Sequence, residues 1–156
     1  MKSPRLLLAD DLPEMLERAT QLLRDDFEIV GYAQDGEEAI KAATTLNPDL
    51  LVLDIEMPLR NGIQVASHLR DLGCRTHVIF LTVHEDLDYV EAAWSVGALG
   101  YVLKSRIASD LLPAAREALK EHRFISSFSR SSPLCPVAAG LTSAVPDSFS
   151  LADSAQ

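Results

Sequence analysis

Short apolar runs alternate along the chain with stretches in which apolar residues recur at helical spacing. The runs are typical of buried strands, and the recurring pattern indicates amphipathic helices. Five strand–helix pairs follow one another between Arg5 and Leu119, which predicts an α/β domain. The predicted strands are apolar almost throughout, so we expect a five-stranded parallel sheet with helices on both faces.

Turn and cap residues mark the ends of the predicted helices. Asp35 and Glu38 have the spacing of a capping box for the second helix. Gly62 is expected to let the chain enter the third helix. Because proline is tolerated only in the first helical turn, Pro113 predicts that the last helix begins near Ser109.

The composition changes after about Phe124. The remaining sequence is rich in Ser, Pro and Ala, carries almost no charge and has no sustained helical or strand period. We therefore predict one domain over residues 1–125 and a disordered tail over residues 126–156.

Overall composition narrows the classes of function. Hydrophobic residues make up 47% and charged residues 24% of the chain, as in ordinary globular proteins. The net charge of −9 argues against direct binding to nucleic acid or to an anionic membrane, which need a basic face. Cys74 and Cys135 make no disulfide framework, and no stretch is long and apolar enough for a membrane span, so we expect a cytoplasmic protein.

Polar side chains follow four of the five predicted strands. Asp10 and Asp11 end the first strand, Asp54 the third, Thr82 the fourth and Lys104 the fifth. The carboxyl ends of parallel strands share one edge of the sheet, where ligands bind. Three neighbouring carboxylates repel one another, and Lys104 supplies one positive charge only. A divalent cation bound by oxygen atoms, best Mg²⁺, would supply the rest.

This set of side chains suits phosphoryl transfer. Asp54 beside Mg²⁺ could attack a phosphorus centre and become an aspartyl phosphate. Thr82 and Lys104 could then bind the phosphoryl oxygens. Taken singly, each residue also has a structural explanation, since Asp10 and Asp11 could cap the first helix, for example. The joint pattern favours the phosphoryl site. No pair among His68, His77 and His122 has metal-ligand spacing, and we expect them to be surface or packing residues.

Four segments resemble the receiver domain of response regulators, the switch proteins of two-component signalling. They are LLLADD, DLLVLDIEMPLRNG, VIFLTVHED and GALGYVLKS, and the resemblance covers about Arg5 to Ser126. The last two segments are most similar to receivers of the LuxR/NarL type. The resemblance implies a flavodoxin-like receiver fold with strand order 2-1-3-4-5.

The resemblance assigns roles to the acidic residues. Asp54 would be the phosphoacceptor. Asp11 would bind Mg²⁺ directly, and Asp10 would bind it through water. Asp54 and the main-chain carbonyl of Glu56 would complete the protein's share of the metal site.

Further positions would act on the phosphoryl group. Thr82 and Lys104 would bind it, and Tyr101 would be the aromatic switch whose ring turns inward when the threonine moves. A half-buried strand aromatic is the alternative for Tyr101. Glu56 and His84 lie two residues after Asp54 and Thr82. We expect their side chains to flank the phosphoryl group and to set how fast water reaches it.

The resemblance thus implies a phosphorylation-controlled switch rather than an enzyme, apart from self-phosphorylation and autodephosphorylation. A histidine kinase or phosphotransfer protein would phosphorylate Asp54, and a changed face would then select a downstream protein partner. A phosphorylation-dependent homodimer and a part in transcription regulation are left open. Receivers of the LuxR/NarL type usually continue into a helix-turn-helix domain, but the sequence after Phe124 is too short and of the wrong composition. We therefore do not expect direct DNA binding.

Two other functions fit the same sequence. One is a phosphohydrolase with an aspartyl-phosphate intermediate, since such enzymes often carry a second acid at the position of Glu56. The other is an interaction module that has the receiver shape without phosphorylation.

Overall fold

A computed structural model describes residues 3–128 of the chain. Within this range the strands are β1 Arg5–Ala9, β2 Glu28–Ala33, β3 Leu50–Leu53, β4 His77–Thr82, β5 Gly100–Leu103 and β6 Phe124–Ile125. The helices are α1 Pro13–Leu23, α2 Gly36–Leu46, α3 Gly62–Asp71, α4 Leu87–Ser95 and α5 Ile107–Leu119, with a 3-10 turn at Lys104–Arg106.

The strands form one parallel sheet in the order β2-β1-β3-β4-β5-β6. The predicted α/β class is confirmed, but the prediction of five strands is wrong by one. The sixth strand consists of two residues that pair with Gly100 and Tyr101. A run this short has no period of its own, so the sequence pattern contains no signal for it.

Successive side chains of each strand point to opposite sides of the sheet. Because the central strands are apolar almost throughout, both faces of the sheet are apolar. Leu6 and Leu8 of β1 belong to a core with residues of α1 and α5. Leu7 of β1 points to the other face, where it and Leu46 of α2 both approach Gly31. Helices therefore cover both faces, and the polar chemistry is left to the strand ends.

Two helix caps differ in how well the sequence predicts them. Asp35 accepts a hydrogen bond from the Glu38 amide at 2.7 Å, as a capping box requires. The Glu38 carboxylate, however, accepts from the amide of Gln34 rather than from that of Asp35. A complete capping box lies at α3, where Asn61 and Gln64 bond each other's amides at 2.8 and 2.9 Å. The same rule predicts this capping box from the sequence, because Gln64 follows Asn61 at the required spacing of three residues.

The last helix begins earlier than Pro113 predicts. The chain is helical from Ile107, directly after the 3-10 turn, so Pro113 lies inside α5. An interior proline removes the hydrogen bond to the carbonyl four residues earlier, here that of Ser109. Both residues are exposed, so water can reach the freed carbonyl.

The predicted tail lies almost wholly outside the described residues. The structure does not describe residues 129–156, so the disordered tail stays a prediction. The domain boundary after residue 125 likewise stays a prediction. Ser126, at the start of the predicted tail, is buried. Among residues 3–128, no helix combines the length and the apolar character that crossing a bilayer requires.

Candidate functional site

Two buried carboxylates lie side by side at the carboxyl edge of the sheet. Asp10 follows β1 and Asp54 follows β3, and these strands pair in register up to Ala9 and Leu53. The amide of Asp54 donates to the carbonyl of Ala9 at 2.9 Å, which extends the pairing to the acid itself. The exposed fractions are only 3% for Asp10 and 5% for Asp54. The apolar strands thus hold two acids where water has little access.

Lys104 brings a cation to this pair from the end of β5. Its Nζ lies 2.8 Å from Oδ2 of Asp10, within ion-pair distance, and donates a hydrogen bond to Oδ2 of Asp54 at 3.1 Å. Burial lowers the pKa of Lys104, but its hydrogen bonds and ion pairs with Asp10 and Asp54 outweigh this and leave the pKa above its ordinary value. The ammonium therefore stays charged.

One lysine does not fully compensate two buried acids. Burial raises the pKa of Asp54 from its ordinary value of 3.8 to about 6, and the charge of Asp10 adds to the rise. Lys104 and the amide of Glu56 act in the opposite direction without cancelling it. Ionised Asp54 is therefore costly in this fold, and a further positive charge nearby would relieve the cost.

Asp11 completes an acidic cluster that can hold a cation. One carboxylate oxygen from each of Asp10, Asp11 and Asp54 lies within 4.8 Å of the other two. Among the described residues this is the one such group of three metal-ligand side chains. Asp11 is exposed, so the cluster is open to solvent on its side. Oxygen ligands of this kind suit a hard divalent ion such as Mg²⁺.

The alternative role of Asp10 and Asp11 as helix caps does not hold. The N-cap of α1 is Leu12, and no side chain caps that helix end. Instead Oδ1 of Asp10 accepts the Leu12 amide at 2.9 Å, and its other oxygen faces Lys104. The first acid is thus held in place by the chain that follows it.

Thr82 and Tyr101 meet around the main chain of His84. Thr82 is fully buried at the end of β4, and its hydroxyl accepts the His84 amide at 3.2 Å. Tyr101 of β5 is also fully buried, and its hydroxyl donates to the His84 carbonyl at 2.8 Å. Burial raises the pKa of the Tyr101 phenol, and the charge of Asp86 raises it further, so the hydroxyl stays a neutral donor. The tyrosine ring is thus inward rather than half-buried.

The side chains of Glu56 and His84 approach each other. Nε2 of His84 lies 3.0 Å from a carboxylate oxygen of Glu56, at ion-pair distance. The imidazole stacks on the ring of Tyr89, with ring centres 4.2 Å apart and planes inclined by 15°. The amide of Glu56 donates to Oδ1 of Asp54 at 3.3 Å. Nothing in the sequence pattern indicated Tyr89, because the path of the segment between β4 and α4 decides whether the two rings meet.

The other histidines take no part in this site. His68 lies 3.4 Å from an Arg60 guanidinium nitrogen, and His122 lies 3.0 Å from a Glu117 oxygen. His77 lies 3.9 Å from Glu121. All three are partly or fully exposed, as surface or packing residues would be.

Comparison with known proteins identifies the family. A family model described as the response regulator receiver domain matches residues 6–116, which include every strand end of the site. The chain belongs to this family. Receiver domains are phosphorylation-controlled signalling switches rather than classical enzymes, and phosphorylation on aspartate and Mg²⁺ binding are typical of them.

Individual relatives agree with this family. The transcriptional regulatory protein YvfU of Bacillus subtilis is 40% identical over 124 residues, which cover 78% of this chain and 62% of YvfU. The chemotaxis protein CheY of Halobacterium salinarum is 30% identical over 115 residues, which cover 74% of this chain and 96% of CheY. A LuxR-family two-component response regulator from Aurantimonas superposes with a TM-score of 0.75 at 29% identity, over 80% of this chain and 91% of that one.

These likenesses confirm the predicted flavodoxin-like receiver fold and its place in two-component signalling. The receiver described here spans about three fifths of the length of YvfU, and likewise of PdtaR from Mycobacterium tuberculosis.

Proposed function

We propose that Asp54 accepts a phosphoryl group from a histidine kinase or a phosphotransfer protein, and that the aspartyl phosphate switches the receiver's protein contacts. The observation that carries this proposal is the meeting of a buried Asp54 carboxylate with Lys104 and two further acids at one edge of the sheet. We assign the exchange to the cytoplasm, where a free thiol such as that of Cys74 stays reduced.

The chemical step is a displacement at phosphorus. A carboxylate oxygen of Asp54 forms the new O–P bond, while the bond from phosphorus to the donor's nitrogen or oxygen breaks and its electron pair leaves with the donor. The attacking form is the carboxylate. Because the pKa of Asp54 is about 6, the carboxylate predominates when the pH is above this value. The Glu56 amide and the Lys104 ammonium hold the two Asp54 oxygens and thereby fix the direction of attack.

The acidic cluster fits Mg²⁺ in charge and in ligand type. Asp11 and Asp54 would bind the ion directly, Asp10 through water and Glu56 through its main-chain carbonyl. A bound Mg²⁺ would supply positive charge to the carboxylates and to the transferring phosphoryl oxygens.

Lys104 and Thr82 provide the remaining stabilisation. The Lys104 ammonium, already at Asp54, would bind one phosphoryl oxygen, and the Thr82 hydroxyl would donate to another. Since the Thr82 hydroxyl now accepts the His84 amide, its turn toward the phosphoryl group would act on His84. His84 in turn holds Tyr101, so the inward Tyr101 ring is part of the same set of contacts.

The face formed by α4, β5 and α5 would carry the output. A change in Thr82, Lys104 and Tyr101 alters β5 and the segment before α4, and a small shift between two packed states suffices to change binding. A downstream protein partner or a second copy of the chain would read this face.

Phosphorylation by a small donor tests the proposal. We expect intact-mass spectrometry after treatment with acetyl phosphate and Mg²⁺ to find one added phosphoryl group, and peptide mapping to find it on Asp54. Asp54→Asn removes the nucleophile, and chelation of divalent ions removes the extra charge, so either should abolish the label. A wild-type chain that stays unlabelled with a donor and Mg²⁺ would favour the interaction module without phosphorylation.

The Glu56–His84 contact predicts a second effect, on the lifetime of the phosphorylated form. The amide of Glu56 contacts Asp54 and its carboxylate is paired with His84, so we expect the pair to limit the approach of water to the acyl phosphate. We expect Glu56→Ala and His84→Ala each to speed hydrolysis by about tenfold, which corresponds to ~1.4 kcal/mol of barrier. The measurement is the decay of the label after donor removal.

Lys41→Ala serves as the control, because this residue is exposed on α2. Unchanged decay in both site variants would show that the pair has no part in hydrolysis.

A further inference from the structure

The buried polar side chains of the described residues form two groups. Asp10, Asp54 and Thr82 belong to the candidate site, and Asp110 and Ser126 lie elsewhere. Burying a polar group costs free energy unless hydrogen bonds compensate it. The second group therefore needs partners of its own, and the phosphoryl chemistry does not use it.

Ser126 is bonded on three sides. Its hydroxyl donates to Oδ2 of Asp110 at 2.6 Å and accepts the amide of Leu103 at 3.1 Å. Its own amide donates to the carbonyl of Tyr101 at 2.9 Å. One serine after β6 thus satisfies two main-chain groups of β5 and ties them to α5.

Asp110 is the fixed end of this arrangement. Besides the Ser126 hydroxyl it accepts bonds from Nε of Arg106 at 3.0 Å and from the Ser109 hydroxyl at 2.9 Å. Burial raises the pKa of Asp110, but the bonds from Ser126, Ser109 and Arg106 bring it below its ordinary value. The carboxylate is thus a charged acceptor at neutral pH, and bonds to charged acceptors are stronger than neutral ones.

Leu103, whose amide Ser126 accepts, lies next to the candidate site. Leu103 directly precedes Lys104, whose ammonium reaches Asp10 and Asp54. On its other side Leu103 lies opposite Thr82 in the pairing of β4 with β5. A shift of the β5 end would therefore move the backbone that carries Lys104.

We propose that Ser126 is a positioning residue for Lys104: by joining Leu103 to Asp110, it holds the end of β5 where the lysine ammonium meets a phosphoryl group on Asp54. This inference rests on the proposed function of Asp54. The coupling between Ser126 and Lys104 is reciprocal: if the Ser126 hydrogen bonds favour ligand binding at Lys104, a bound ligand must stabilise those hydrogen bonds.

Amide hydrogen exchange of the full chain tests this reciprocity. The probe is beryllofluoride with Mg²⁺, a phosphoryl analogue, and the readout is the NMR exchange rates of the Leu103 and Ser126 amides. We expect both amides to exchange several times more slowly once the analogue binds.

Two other results would overturn the proposal in distinguishable ways. Analogue binding seen as shifts of the Ile55 and Glu56 amides, with no slowing at Leu103 and Ser126, rejects the role of Ser126 alone. No response to the analogue anywhere near Asp54 rejects the proposed function and this inference with it.

Variants of Ser126 distinguish the effect of its hydroxyl group from the effect of side-chain size. Ser126→Ala should weaken beryllofluoride binding by about tenfold, because Leu103 loses its acceptor. Ser126→Thr keeps the hydroxyl and should restore most of the affinity, whereas Ser126→Val, of the same size as threonine, should not. Each variant is compared in its folded state, checked by circular dichroism.

Ser109→Ala is the matched control. It removes a bond to the same Asp110 carboxylate without touching β5, and we expect beryllofluoride affinity within twofold of the wild type. Equal affinities of the Thr and Val variants, or an equal loss in Ser109→Ala, would show that Ser126 does not act through Leu103.

Discussion

Asp54→Asn is expected to stabilise the receiver at neutral and alkaline pH while it removes the proposed phosphoacceptor. The pKa of Asp54 is about 6 in the folded chain, against an ordinary value of 3.8. The folded state therefore holds this proton more tightly than the unfolded chain does. Stability consequently falls as the pH rises from about 4 to about 6, and the loss is complete above that range.

The expected size follows from the difference between the two pKa values. It corresponds to about 3 kcal/mol of unfolding free energy that the wild type lacks when Asp54 is ionised. Asparagine imitates the neutral acid and carries no such penalty. We thus expect urea denaturation at pH 8, without divalent ions, to give Asp54→Asn the larger unfolding free energy by about this amount, and the gap to close near pH 4.

The control is Asp25→Asn, at an exposed aspartate in the turn after α1. It should give no gain that depends on pH in this way. A gap between wild type and Asp54→Asn that is the same at pH 4 and at pH 8 would mean that the gain does not come from removing a charge. Mg²⁺ at pH 8 should narrow the gap, because an ion that binds only the folded acids stabilises the wild type by mass action.

This cost connects stability to function. A bound cation would offset the cost of the ionised Asp54 carboxylate, and so would a phosphoryl group bound together with its own counter-ion. Proteins commonly give up stability at sites that must bind or react. The unfavourable charge of Asp54 is thus the physical source of the proposed affinity for Mg²⁺.

The sequence predicts which side chains meet at this edge of the sheet, because their placement follows from strand ends, while their roles stay predictions. Apolar runs that stop at Asp10 and Asp54 must place both acids at one edge of a parallel sheet, whatever the loops do. The distances of Lys104 to both acids agree with that placement. The strand order that brings β5 to this edge came from the family resemblance, since apolar periodicity does not rank parallel strands.

Contacts that depend on loops could not be predicted in this way. Leu59 has a φ of 71°, a conformation that costs a leucine free energy and that its residue type does not signal. The stacking of His84 on Tyr89 needs the exact orientation of the segment before α4. Ser126 lies in a Ser-rich stretch whose composition does not distinguish it from its neighbours.

Gly62 shows how a correct residue can be assigned the wrong reason. Entry into a helix does not require this glycine, because Asn61 provides the cap and Gly62 is not among the residues with positive φ. Its role is close approach. A Cβ atom there would collide with the Asp54 carbonyl oxygen and lie 3.0 Å from Cα of Ile55. The Gly62 amide also donates to the Ile55 carbonyl at 2.6 Å.

Gly62→Ala is therefore expected to damage both the fold and the site. The added methyl group must push α3 away from the backbone of Asp54 and Ile55, and overpacking of this kind costs about 1–3 kcal/mol. The displaced backbone includes Glu56, whose amide and carbonyl are assigned to Asp54 and the metal. Since small misplacements at reacting groups can cost on the order of 100-fold in rate, labelling of Asp54 by acetyl phosphate should slow far more than the loss of stability alone explains.

Gly31→Ala is the matched control for this effect. Its added methyl group would meet only the ends of the Leu46 and Leu7 side chains, at 3.1 and 3.4 Å, and these can turn aside. We expect urea denaturation to give Gly31→Ala a smaller loss than Gly62→Ala, and labelling rates close to the wild type. If Gly62→Ala were as stable and as quickly labelled as Gly31→Ala, the backbone of Asp54 and Ile55 would have room for the added methyl group, and the close approach of Gly62 would not be what holds it in place.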